Sequence, residues 1–168
     1  AATADVFRRQ RALSTFTLLA GVAAWLAGNL AWARGGPAHA STWPWLAFLV
    51  LTIAGERLEL SRFLPPSPFA QRAFGAILAT FALAVASALA LPDAPFATPL
   101  FGAALVALAA WLGRQDVARR TVRGTGLTRY VAVCLLSGYA WLALAGALLL
   151  AGGAAPVGAH RDAALHAL

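Results

Sequence analysis

Charge is the scarcest property of this chain. Only 11% of its 168 residues are charged, while 61% are hydrophobic. An ordinary soluble domain is about 45–50% apolar and about 25% charged, and a water-exposed fold of this size could not cover so much apolar surface with so few charges. That excludes a soluble enzyme, a disordered tail and a nucleic-acid-binding domain, so no nucleic-acid partner is expected. Cysteine occurs once, at Cys134. One thiol excludes an internal disulfide framework and any cysteine-based zinc or iron–sulfur site within a single chain. Lysine is absent and all 13 basic residues are arginine, which with the abundance of Ala, Gly and Pro points to a GC-rich genome. Methionine is absent too, and the sequence opens on Ala-Ala-Thr.

What remains is apolar runs. A bilayer core takes about 20 apolar residues of helix, and five stretches qualify, at about 12–33, 41–63, 70–91, 99–113 and 128–151. Arg34-Gly35-Gly36-Pro37 stops the first and Pro65-Pro66-Ser67-Pro68 follows the second. Pro92-Asp93 closes the third, Thr98-Pro99 offers the fourth an N-cap and a first-turn proline, and Gly152-Gly153 ends the fifth. The expected fold is all-α, a single integral membrane domain over 1–168: a bundle of five spans with the start of a sixth helix at the C-terminus. The first span is too long for a signal peptide and lacks a cleavage site.

Arginine orients the bundle, because cytoplasmic loops carry the excess of positive charge. Eleven of the 13 arginines fall at the N-terminus (Arg8, Arg9, Arg11), around the second loop (Arg57, Arg62, Arg72) and around the fourth (Arg114, Arg119, Arg120, Arg123, Arg129). Only Arg34 and Arg161 fall on the other side. The sequence therefore predicts a membrane protein with its N-terminus in the cytoplasm and its C-terminal segment on the outer side, the periplasm of a bacterial inner membrane if the resemblance given below holds. Trp32, Trp43 and Trp45 would lie in the outer aromatic belt, with Trp111 and Tyr130 in the inner one. Trp25, Tyr139 and Trp141 lie nearer mid-span, packed between helices or walling a bound ring. Small residues four apart, Ala20, Ala24 and Gly28 in the first span and Ala82, Ala86 and Ala90 in the third, mark expected helix contacts. Asn29, Ser87 and Ser137 read as interhelical hydrogen-bonding groups.

The polar residues with chemical potential are few. From Ser41 to Gly55 is roughly 22 Å of helix at about 1.5 Å per residue, short of the roughly 30 Å of a hydrocarbon core. The second helix must therefore continue through Glu56 and Glu59, which places a charge cluster of Glu56, Arg57, Glu59 and Arg62 in or just under the inner leaflet. Charges there are costly unless paired. Two readings follow: an ion-pair anchor, with Arg72 or Arg114 as outside partners, or a proton-relay or ligand site built on a desolvated Glu56. His160 and His166, about 240° apart around a helix, cannot chelate one metal from one face. Arg119, Arg120, Arg123 and Arg129 form a basic, glycine-containing loop without P-loop spacing, suited to anionic lipid headgroups. No catalytic residues emerge, since no Ser-His-Asp set or facing pair of acids can be assembled. After Gly158 the sequence starts a helix that stops after two turns with nothing to end it, which reads as a portion of a longer polypeptide.

At Gly55-Glu56-Arg57-Leu58-Glu59-Leu60-Ser61-Arg62 and Arg161-Asp162-Ala163-Ala164-Leu165-His166-Ala167-Leu168, the sequence resembles a group of uncharacterised bacterial multi-span proteins. These are in turn distantly similar to the NnrS family of haem- and copper-associated membrane proteins, linked to nitric-oxide stress and denitrification. The likeness covers most of the chain in hydropathy and specific residues only in those two stretches. It implies a polytopic inner-membrane protein with further helices, His160 or His166 as a haem or metal ligand, and Glu56 as a buried functional acid. Three functions fit these residues: a haem- or copper-associated protein of nitric-oxide or respiratory metabolism; a non-catalytic accessory subunit packed against a larger respiratory or photosynthetic complex; and a small proton-coupled carrier using Glu56 and Glu59. The expected partners are the lipid bilayer and other membrane subunits.

Overall fold

Three of the long helices end within two residues of a proline or glycine, at Ala33, Ala90 and Gly152. A computed structural model describes residues 13–60, 67–92, 94–152 and 158–168. Among these the chain forms seven helices and no strand: α1 (Leu13–Ala33), α2 (Ala38–Leu60), α3 (Pro68–Ala90), α4 (Ala97–Gln115), α5 (Ala118–Thr121), α6 (Gly126–Gly152) and α7 (Ala159–Ala167). Four of them, α1, α3, α4 and α6, are long and apolar enough to cross a membrane. The expected second span is present as the 23-residue α2, but its apolar stretch is interrupted at both ends. Its first two turns carry His39, Ser41, Thr42 and Pro44, and its last two carry Glu56, Arg57 and Glu59.

Local chemistry sets the boundaries. After α1, Gly35 takes a left-handed φ of +81°. There the Gly36 N–H donates to Ala31 O and the Gly35 N–H to Trp32 O, both at 2.9 Å, a Schellman cap that only glycine enters without strain. At α3, Ser67 Oγ accepts from the Ala70 N–H at 3.2 Å, with Pro68 in the first turn. The expected Thr98 cap on α4 is not used: that helix begins at Ala97, and its N-cap residue, Phe96, makes no side-chain bond.

The helices run up and down. Gly28 lies against Trp45 and Pro44, and Gly55 against Leu18 and Ser14, so α1 and α2 are antiparallel. Gly102 lies against Leu149, Gly146 against Val106, and Tyr139 meets Asp116, so α4 and α6 are antiparallel as well. An aromatic spine joins α2, α3 and α4. Phe101 has its ring centroid 5.1 Å from Trp43 and 5.3 Å from Phe81, while Phe74 and Trp111 are 4.7 Å apart. Trp43 and Trp111 are therefore core residues (4% and 8% exposed) rather than belt residues, and the Trp111 indole donates to Ala70 O at 2.8 Å. Trp32 and Tyr130 remain outward.

Two packing expectations are corrected. On α1 the inward stripe is Ser14, Thr17, Gly21, Ala24 and Gly28, so Ala24 and Gly28 do face a neighbour, with Ala20 half-buried. On α3, however, Ala82, Ala86 and Ala90 are exposed, and Phe74, Ile77, Phe81, Ala84 and Ala88 face inward. Bulk decides here, because burying phenylalanines removes far more apolar area from solvent than burying alanines. Asn29, Ser87 and Ser137 do not bridge helices either. They donate within their own helices, to Trp25 O (2.8 Å), Leu83 O and Cys134 O (2.9 Å). A short polar side chain reaches the carbonyl one turn back more readily than a neighbouring helix.

The last helix doubles back. His160 sits beside Gly152, and the side chains of Leu165 and Leu168 help wall a cavity with Cys134, Gly138 and Leu142 of α6. The C-terminal segment thus lies along the bundle instead of projecting from it. The Arg161 guanidinium holds it to α2, 5.1 Å from the Trp43 ring centroid.

Candidate functional site

Polar contacts between helices concentrate at one end of the bundle, where α2 and α4 finish and α5 begins. Asp116 ends α4 in an extended conformation (φ −70°, ψ 144°), and its carboxylate collects donors from three directions. Arg57 of α2 grips it with both prongs, Nε to Oδ2 at 2.7 Å and Nη2 to Oδ1 at 2.9 Å. The Tyr139 hydroxyl of α6 donates to Oδ2. The Ala118 N–H donates to Oδ1 at 2.8 Å, so the same side chain turns the backbone into α5. The Asp116 side chain is 1% exposed and that of Arg57 13%. Burial alone would raise the Asp116 pKa, but the bonds from Arg57, Tyr139 and the Ala118 N–H outweigh it and hold the group below its usual value.

The predicted charge cluster is therefore distributed differently. Arg57 is engaged by Asp116, 59 residues away, rather than by its neighbours on α2. Glu59, exposed on the outside of the bundle, accepts a hydrogen bond from the Ser14 hydroxyl of α1 at 2.9 Å. Glu56 is exposed too, and Arg62 lies outside the described residues. The outside partner that the structure gives this cluster is an acid, Asp116, where an arginine, Arg72 or Arg114, was expected. Sequence reasoning missed Asp116 because nothing local links it to Arg57. The available signal was its isolation, as one of only six acids in the chain set among the arginines of a basic loop.

Beyond Asp116 the chain opens into a cleft of about 660 Å³ lined by Arg114, Gln115, Asp116, Val117, Arg119, Arg120 and Arg123. Three of the four arginines expected at headgroups share this cleft. The fourth, Arg129, is exposed on α6 outside it, and Arg114 stands in its place. Higher in the bundle, an apolar cavity of about 490 Å³ lies between α2, α4, α6 and α7, walled by residues that include Val50, Leu108, Cys134 and Leu168. A smaller cleft of about 370 Å³ brings His166 beside Gly138, Trp141 and Leu142. His160 is exposed at the start of α7. Among the described residues no three His, Cys, Asp or Glu side chains converge as a metal-ligand group, so the copper expectation finds no ligand set there.

One family model, for a domain of unknown function (DUF8744), matches residues 1–168. The chain belongs to the DUF8744 family. No curated protein and no solved structure matches it. In this DUF8744 chain, then, the clearest chemical feature is a neutralised acid at the floor of an arginine-lined opening.

Proposed function

We propose that this DUF8744 chain is a five-span bacterial inner-membrane protein, N-terminus in the cytoplasm, that serves as a non-catalytic accessory subunit of a larger membrane complex. The observation that carries this reading is the Arg57–Asp116–Tyr139 network. The most deeply buried acid among the described residues accepts four hydrogen bonds, from α2, α6 and the α5 turn. A buried carboxylate so fully engaged ties helices together and is held in its ionised form by its donors. Large apolar side chains meanwhile face outward from α1 and α6, among them Trp25, Leu26, Trp141 and Leu144, as surfaces for lipid or neighbouring subunits do. Native mass spectrometry after extraction in mild detergent tests the reading. Stoichiometric larger membrane subunits are expected to accompany the chain, and a protein that always emerges alone would remove the proposal.

A second reading has one observation behind it. His166 and Trp141 share a cleft, so one imidazole and one flat ring are available to a haem, as the likeness to the NnrS family implies. The visible spectrum of the purified protein checks it: without a Soret band this reading fails.

A further inference from the structure

The four arginines of the cleft beside Asp116 pose an electrostatic problem that the fold itself does not solve. Arg114, Arg119, Arg120 and Arg123 surround one opening, all with exposed side chains. Among the described residues that line the cleft the one acid is Asp116, and it is already held by both prongs of Arg57. Asp116 thus cancels Arg57 and leaves four positive charges, brought together within ten residues of sequence, facing a shared volume. Like charges gathered on one wall repel, and the field they create draws in a counter-anion.

The supporting frame is well defined. The Asp116 carboxylate fixes the turn from α4 into α5 through the Ala118 N–H, and α5 carries Arg119 and Arg120. The guanidinium fork matches phosphate oxygens geometrically and stays charged at every accessible pH. A volume of about 660 Å³ lies within the roughly 300–1,000 Å³ of ordinary ligand sites. A single phosphodiester would leave most of the positive charge uncompensated.

We propose that this cleft is a binding site for an anion carrying at least two phosphate charges, presented by a lipid headgroup or by a soluble phosphate compound. Asp116 and Arg57 act as positioning residues that set the arginine-bearing turn without touching the ligand. The inference is independent of the accessory role, since a chain purified without partners would still hold the site.

The test uses the full chain with two probes. Inorganic pyrophosphate is titrated calorimetrically into the detergent-solubilised protein. Retention of diphosphatidylglycerol is read by native mass spectrometry from nanodiscs of phosphatidylcholine containing that lipid. Saturable one-site binding of at least one probe is expected. It should weaken roughly tenfold or more in Arg119→Gln/Arg120→Gln and separately in Arg123→Gln, and stay unchanged in Arg129→Gln, whose side chain lies outside the cleft. Pyrophosphate binding alone identifies a soluble ligand, and lipid retention alone a headgroup. The proposal is overturned if neither probe binds saturably, or if Arg129→Gln costs as much as the cleft variants, which would show diffuse attraction. Thermal unfolding of each variant in detergent confirms its fold, and because the side chains are exposed, Arg123→Gln supplies the comparison should the double variant fail.

Discussion

Asp116 is bound so thoroughly that removing any one of its partners has a distinct signature. Truncating Arg57 to alanine leaves a buried, unpaired carboxylate, a change that costs about 3–5 kcal/mol in comparable sites. Asp116→Asn combined with Arg57→Met removes both charges and is expected to recover much of that loss. Tyr139→Phe deletes one bond to a charged acceptor, for about 1.5–3 kcal/mol. Chemical unfolding in detergent, monitored by circular dichroism, ranks the three; a double variant no better than Arg57→Ala would contradict the pairing. The pH dependence follows from the lowered Asp116 pKa. The folded chain holds this proton more weakly than the unfolded one, so the stabilisation is complete above the ordinary carboxylate value of 3.8. It shrinks as pH falls below that value and is gone once pH passes the group's own depressed pKa. In Asp116→Asn that acid-side loss should be reduced. This network was only half legible in the sequence. The depth of Glu56 to Glu59 along the second helix singled out Arg57, but its partner lies 59 positions on, and pairing over that separation leaves no periodic trace.

At the scale of helices, α4 and α6 meet backbone to backbone at a pair of glycines. A Cβ added at Gly102 would lie 2.7 Å from Gly146 O, and one at Gly146 would lie 2.6 Å from Gly102 O. Both obstacles are backbone, which cannot rotate aside. Gly146→Ala is therefore expected to separate the two helices and destabilise the bundle by about 1–3 kcal/mol. Gly75→Ala on α3 meets nothing within 4 Å and should be neutral or stabilising by up to roughly 1 kcal/mol, through helix propensity alone. Comparing their midpoints in one unfolding assay checks the contact, and equal effects would refute it. Composition explains why this pair escaped a sequence reading. In a chain so rich in alanine and glycine, four-residue stripes occur on outward faces too, as Ala82, Ala86 and Ala90 show. Helix positions were legible because proline and glycine punctuate the apolar runs. Which face turns inward was set by the bulk of Phe74, Phe81 and Phe101, all essentially buried, which periodic counting of small residues ignores.

For the molecule as a whole, α2 decides the topology, and the parity of the crossings makes its placement testable. Four helices qualify as spans by length and apolarity. If only those four cross, the turn after α1 and the turn before α6 are separated by two crossings, α3 and α4, and lie on the same side. If α2 crosses as well, three crossings separate them and they lie on opposite sides. The arginine distribution favours the second case, because Arg34 stands alone after α1 while Arg119, Arg120, Arg123 and Arg129 crowd the approach to α6. The helix bound to α1 along its length and tied to Asp116 at its end also fits a bundle member better than a surface segment. Cysteine labelling measures this directly once Cys134, exposed on α6, is replaced by serine. In that background Arg34→Cys should react with a membrane-impermeant maleimide in spheroplasts. Thr125→Cys should react only after permeabilisation. Labelling of both from the same side would reduce the bundle to four crossings and lay α2 outside the hydrocarbon core, taking the Arg57–Asp116 pair with it into the interfacial region.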